Sequence, residues 1–374
     1  MRAAPSDPRP VVAVFRSPLF NASETFVRNH IAGLRRYRAI AVGLEAKGEA
    51  EVPRLLPASA AERLALKLLG RTGPLAQRLG AEAPALIHAH FGTDGLLALP
   101  LAKRLGVPLV TTLHGYDVGR SRARLLLSGR LSWMRYALLR RRLFASGDLF
   151  LAVSEAVRRR ALAIGFPADR TIVHHLGVDL EYFRPGEAPP EPGLILHVGR
   201  LVEKKGTSDL LDALATLSGA RLVVIGDGPL RPALERRAKA LDVRFLGALL
   251  PSEVRSWMQR AWLLAAPSVT ARDGDCEGLP TILCEAAACG LPVVATRNSG
   301  IPEAVVEGET GLLVPERDPA ALSSALATLL GDGPSRERMS RAARALAELR
   351  FDSALQNALL EQHYDALVRG ERCA

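Results

Sequence analysis

Two stretches of this 374-residue chain follow the same grammar, and that repetition most limits the folds open to it. A short apolar run leads into a polar loop, then into apolar residues at helical spacing, then into another apolar run. Residues 11–15, 39–44, 85–89, 109–113, 149–153 and 171–175 are strand candidates in the first half. Residues 194–198, 221–225, 243–246, 263–266 and 292–295 are their counterparts in the second. Strands alternating with helices predict a parallel sheet covered on both faces, with ligand-binding loops at its carboxyl edge. Between the halves, residues 184–193 hold four prolines and two glycines with no apolar periodicity, which suits neither a strand nor a helix interior. We therefore expect an α/β chain of two Rossmann-like, doubly wound domains. The boundaries expected are residues 1–184, a linker at 185–192, residues 193–350, and a separate amphipathic helical stretch at 351–374.

Composition narrows the partners. A formal net charge of +10 calls for an anionic surface or substrate. From 120 to 142 there are eight arginines and no acid, interleaved with Leu125, Leu126, Leu127, Leu131, Trp133, Met134, Leu138 and Leu139. Such a basic amphipathic segment can lie on an anionic membrane face. A solvated helix with a core-facing side is the bland alternative, and a nucleic-acid patch the weakest, since no nucleic-acid motif accompanies the charge. No run approaches the ~20 apolar residues that span a bilayer, so membrane contact is expected to be peripheral. Cys276, Cys284, Cys289 and Cys373 show no C-x-x-C spacing, which argues against zinc and a disulfide framework and for a reducing cytosol.

The chemistry is expected in loops after strands. Residues 273–290 read as a loop carrying Glu277, then Pro280 at a first helical position, then a short helix carrying Glu285 and ended by Gly290 and Pro292. Glu285 would lie roughly 8–9 Å beyond that helix start, at ~1.5 Å per residue. That is comparable to the span between sugar and ribose in a nucleotide diphosphate-sugar, and the free amides at the helix start would face the diphosphate. Arg200 and Lys205, in a Gly-bounded loop, offer a planar fork and a point charge to phosphate oxygens. Asp273-Gly-Asp275 has metal-binding form, but its place just before a phosphate-facing helix favours a plain loop. His90 and His114 both fall at predicted carboxyl ends of strands. His114 is the stronger candidate, because Gly115 opens space beside it and Asp117 could orient or charge its ring. In the first loop, Ser23 or Thr25 could cap the following helix.

Taken together, Glu277-x7-Glu285, Gly199-Arg200…Lys205-Gly206, Gly226-Asp-Gly-Pro229 and Ser299-Gly-Ile-Pro-Glu303 resemble the retaining glycosyltransferases of family 4, which have the GT-B architecture. Ser23-Glu-Thr-Phe26, His114-Gly-Tyr-Asp117, Gly177-Val-Asp179 and the run from Ser268 to Gly278 look like the exopolysaccharide branch, typified by colanic-acid and amylovoran enzymes. The resemblance covers nearly the whole chain. It implies two Rossmann-like domains facing across a cleft, with the last helix crossing back to the first. It further implies that Arg200 and Lys205 bind the donor diphosphate, Glu277 the sugar hydroxyls and Glu285 the ribose. His114 would lie at the reaction centre, and the backbone around Gly278, Leu279, Thr281 and Ile282 would receive sugar and phosphate. Many family members carry Gly-Gly in the first loop, whereas this loop is Phe20-Asn-Ala-Ser-Glu-Thr25. Ser23, Glu24 and Asp117 are therefore acceptor-side candidates as much as phosphate contacts.

The expected activity is metal- and cofactor-independent transfer of a sugar, with retention, from a nucleotide diphosphate-sugar to a glycan or lipid-linked glycan. No second carboxylate is placed as a nucleophile, so front-face substitution is expected, with the leaving phosphate taking the acceptor's proton. The alternatives are a nucleotide-sugar epimerase of the same architecture and a non-catalytic nucleotide-sugar or membrane-binding module. The expected location is cytoplasmic, on the inner face of the plasma membrane.

Overall fold

The computed structural model describes residues 7–21, 24–48 and 52–371. The chain divides into two compact units, Met1–His175 together with Ser353–Ala374, and Leu176–Asp352. In the first, seven strands form one parallel sheet: β1 (Val11–Phe15), β2 (Arg38–Val42), β3 (Arg54–Leu55), β4 (Pro84–His90), β5 (Leu109–Leu113), β6 (Leu149–Ala152) and β7 (Thr171–Val173). Their order is β3-β2-β1-β4-β5-β6-β7. The second holds β8 (Leu194–Val198), β9 (Arg221–Ile225), β10 (Val243–Gly247), β11 (Leu263–Ala266), β12 (Val293–Thr296) and β13 (Gly311–Val314), ordered β10-β9-β8-β11-β12-β13. Both are doubly wound Rossmann-like sheets, the two-domain content of the GT-B fold. Their strand order reverses between β1 and β4 and between β8 and β11, the points where crevices open beyond the carboxyl ends.

The central strands are buried on both faces and largely apolar, interrupted by the buried polar residues His88, His90, Thr111, Thr112 and His197, and β1, β5, β8, β9 and β11 begin and end where the sequence expects. Two strands lie outside the sequence expectation. β3 is a two-residue edge element, and β13 opens on Gly311, whose missing side chain lets it approach the Val293 carbonyl. The unit division falls earlier than the proline-rich stretch. The reason is local: the Val178 amide donates to the Phe351 carbonyl at 2.7 Å, Phe183 is buried, and Arg344 donates to the Phe183 carbonyl at 3.1 Å. Residues 176–192 are therefore part of the second unit rather than a free connection.

The last helix, Ser353–Val368, belongs to the first unit. Leu360 and Tyr364 pack with Val12, Val14, Leu86 and Val110 in that unit's core. Buried Glu361 accepts the amides of Arg35, Arg36 and Tyr37 at 2.8, 2.7 and 3.3 Å. One acid thus satisfies the chain end that follows the helix Thr25–Gly33.

Candidate active site

In the second unit, the loop after β8 supplies Arg200, Lys204 and Lys205. It turns back at Gly206, whose positive φ and close approach to the Pro267 carbonyl exclude a side chain. Lys205 Nζ lies 2.8 Å from Glu277 Oε1, and both groups are largely withdrawn from solvent. Ser268 Oγ donates to the same oxygen at 3.2 Å, and the Glu277 amide donates to Asn298 Oδ1 at 3.2 Å. Burial pushes the Glu277 carboxyl up, but Lys205 and Lys204 outweigh it and hold it below the usual carboxylate range. Asn298 is itself clamped, donating to Thr270 Oγ1 at 3.1 Å and Glu316 Oε1 at 2.7 Å. Arg200 is exposed, and its guanidinium makes no hydrogen bond or ion pair among the described residues.

The helix that follows runs Thr281–Ala288, with Pro280 at its N-cap rather than at the first helical position. Glu285 consequently lies about 6 Å beyond the start, one residue's rise of ~1.5 Å nearer than a start at Pro280 would put it and short of the roughly 8–9 Å expected. No side chain caps this end, which leaves its first amides for a ligand. Gly278 and Leu279 are buried in the approach to the helix, with Thr281 and Ile282 half-buried in its first turn. Glu285 is half-buried, its carboxyl has no hydrogen-bonding partner among the described residues, and burial pushes it up to about 7. Asp275 lies 3.3 Å from Lys204 Nζ, so a lysine holds one of the two acids of the Asp-Gly-Asp sequence.

In the first unit, the carboxyl ends of β1, β4 and β5 bring together Arg16, Phe91 and His114. His114 lies between two rings, Phe26 at 4.4 Å and Phe91 at 4.3 Å between centroids. Burial, then the Arg16 charge, hold it well below the usual histidine range, so the ring is neutral. Asp117 acts on the main chain: its carboxylate accepts the amides of Gly92 at 2.9 Å, Gly115 at 2.9 Å and His114 at 3.2 Å. It orients His114 through the backbone, since β5 ends where those amides would otherwise be orphaned. Glu24 is fully engaged by Arg16, at 2.7 and 2.6 Å, and the same guanidinium reaches Asp94 at 2.7 Å. That makes Glu24 a structural partner of the first loop, while Ser23 lies outside the described residues.

Sequence reasoning did not single out His30, His88, Thr112 or Tyr364, which lie behind His114. Ring nitrogens of His30, His88 and His90 come within 4.8 Å of one another, close enough to hold a metal ion. Each is hydrogen-bonded within the protein. Only the His88–Ala–His90 alternation on one strand face hinted at the group. Among the described residues, no helix is long and apolar enough to cross a membrane.

Residues 24–182 match the family model for Glycosyltransferase Family 4, and residues 179–346 that for glycosyl transferases group 1. WcaL of Escherichia coli, described as a colanic acid biosynthesis glycosyltransferase, is 38% identical over 256 residues. That match takes in 64% of this chain and 60% of WcaL, so the chain spans well under the whole of that relative. The amylovoran biosynthesis glycosyltransferase AmsK of Erwinia amylovora is 31% identical over 91% of this chain and 88% of its own. Among solved structures, sucrose-phosphate synthase from Thermosynechococcus elongatus superposes with a TM-score of 0.81 at 18% identity, covering 97% of this chain and 100% of that one. HepE of Anabaena, solved with UDP, gives 0.76 at 21% identity over 96% and 100%.

Proposed function

The chain belongs to the family 4 glycosyltransferases, and from that premise we propose that it transfers a sugar, with retention, from a nucleotide diphosphate-sugar to a growing glycan of a cell-surface polysaccharide. The observation that carries this reading is the Lys205–Glu277 pair, largely withdrawn from solvent, whose lysine shares a loop with the exposed Arg200 and whose acid stands just ahead of the uncapped helix Thr281–Ala288. Such a set suits a leaving diphosphate and the sugar attached to it. Arg200, Lys205 and the helix amides neutralise charge developing on the phosphate, which is electrostatic stabilisation without a metal. Glu277, kept ionised, accepts from sugar hydroxyls. Glu285, solitary on its helix, accepts from the ribose. His114 serves at the transferring sugar, and the leaving phosphate takes the acceptor's proton in a front-face substitution.

The test is Glu277→Gln, which keeps the shape and removes the charge. Turnover with the matching nucleotide sugar should fall by about two orders of magnitude or more, while the melting profile keeps its form. Near-normal turnover would sink the assignment. Sugar released without an acceptor would favour the epimerase alternative, and ligand-induced stabilisation without turnover the binding module.

Peripheral contact with an anionic membrane is part of the proposal. Its support is that Leu127, Leu131 and Leu138 stand exposed among the arginines of residues 120–142. Exposed Leu64, Leu68 and Leu69 of the helix Ala60–Leu69 extend the same kind of surface, where Arg135 reaches the Lys67 carbonyl at 3.4 Å. Cosedimentation with phosphatidylglycerol vesicles, weakened by salt and absent with phosphatidylcholine alone, is the expected outcome. Equal recovery with both vesicle types would remove the anionic-surface reading.

A further inference from the structure

Behind His114 runs an unbroken hydrogen-bonded line through the core of the first unit. Thr112 Oγ1 meets His88 Nε2 at 2.7 Å, and His88 Nδ1 meets the Tyr364 hydroxyl. That hydroxyl meets His30 Nε2 at 2.9 Å, His30 Nδ1 meets His90 Nε2 at 2.9 Å, and His90 Nδ1 meets His114 Nε2 at 3.1 Å. Every ring in the line has the same polarity, with Nε2 toward Thr112 and Nδ1 toward His114.

A neutral imidazole donates through one nitrogen and accepts through the other, and a phenol with two partners donates to one and accepts from the other. No carboxylate hydrogen-bonds to any of the four rings among the described residues, and burial holds all four neutral. The line can therefore run in only two ways, with every proton pointing toward His114 or every proton pointing away. Its far end decides. Thr112 is buried, and its side chain makes this one hydrogen bond among the described residues. If the hydroxyl accepted from His88, its own proton would be left buried without a partner. If it donates, only lone pairs go unused, the lesser cost.

We propose that Thr112, His88, Tyr364, His30 and His90 form a one-way chain of positioning residues that fixes His114 as the Nδ1–H tautomer, so that it meets its ligand as a hydrogen-bond donor and not as a base. Among the described residues nothing else bonds that nitrogen, which is free to reach a ligand oxygen. The proposal rests on the reading of His114 as a residue of the transfer site. It also gives the last helix a part in the chemistry, because Tyr364 supplies the link between two of the histidines.

The experiment is two-bond ¹H–¹⁵N correlation on histidine-labelled protein, where the two tautomers give distinct patterns. His30, His88, His90 and His114 should all appear as Nδ1–H. Thr112→Val removes the proton source and should leave His114 in the Nε2–H form or a mixture, with kcat reduced by about 10–100-fold, the size seen when a partner behind a metal-bound histidine is lost, and KM little changed. Thr112→Ser should restore both. Tyr364→Phe should cut the line at its middle with the same effect on His114, even if it also lowers stability. An Nε2–H pattern in the unmodified protein overturns the proposal, as does an unchanged His114 pattern in Thr112→Val. About one equivalent of zinc or another divalent metal held by the purified chain would also overturn it, because a metal would replace the proton line. Should His114→Ala keep full turnover, the transfer-site reading fails while the tautomer pattern still stands, so the two failures are separable.

Discussion

Glu277 and Glu285 lie eight positions apart in the sequence, yet the fold gives them opposite electrostatics. Two lysines hold Glu277 ionised, whereas Glu285 sits half-buried without a counter-charge and is pushed up to about 7 by burial. In the unfolded chain Glu285 titrates near the ordinary glutamate value of 4.5. Between about 4.5 and 7 the folded state therefore binds more protons than the unfolded one, and stability falls as pH rises across that window. Glu285→Gln should melt at a higher temperature than the unmodified protein at pH 8, and the difference should close as pH falls to 4.5. The same variant should bind nucleotide more weakly, since an amide is a poorer acceptor for ribose hydroxyls than a carboxylate. A melting difference that ignores pH would show that Glu285 is not the strained acid described. That Lys205 and Glu277 both lie in loops after strands was legible, but their pairing with one another was not. Nor was the pairing of Lys204 with Asp275, since nothing in the spacing says which lysine turns toward which acid.

Among the elements, the helix Ser353–Val368 is attached to the first unit by features that hydrophobic periodicity cannot express. Its apolar residues were visible as an amphipathic stretch, but Glu361, 2% exposed, looks in the sequence like an ordinary surface acid. Its three backbone amides tie the helix to the turn before β2. Glu361→Ala should cost about 2 kcal/mol or more, because buried donors are left unsatisfied, and Glu361→Gln should cost less. Hydrogen exchange at β1 and β4 amides should quicken in the alanine variant while β8 and β11 keep their protection. Uniform loss of protection would mean that the helix serves the whole chain rather than its own unit. The helix Thr281–Ala288 shows the opposite case, since its stop at Gly290, with φ at +65°, is where the glycine and proline signals place it. Its start slipped by one residue because a proline at the N-cap and one at the first helical position leave the same trace.

At the scale of the whole molecule, each unit holds a group that could suggest a metal, and in each the protein supplies its own partners. Lys204 meets Asp275 in the second unit, and the imidazole line accounts for the ring nitrogens in the first. Stabilisation of the full chain by a nucleoside diphosphate in a thermal-shift assay should therefore survive EDTA, whereas loss of the shift would return Asp273 and Asp275 to the candidate site as metal ligands. By itself, the sequence determined the two sheets, the loops after their strands, and the residue types offered to a nucleotide sugar. It could do so because buried parallel strands need largely apolar runs, and phosphate-facing loops need glycine beside cations. The tertiary structure alone decided which charges neutralise one another and that Glu361 and Tyr364 are the polar groups by which the tail helix docks in the first unit. It also threaded Thr112, His88, Tyr364, His30 and His90 into a line ending at His114. Those choices depend on contacts between residues as far apart as His30 and Tyr364, and no local pattern encodes which buried polar groups will meet.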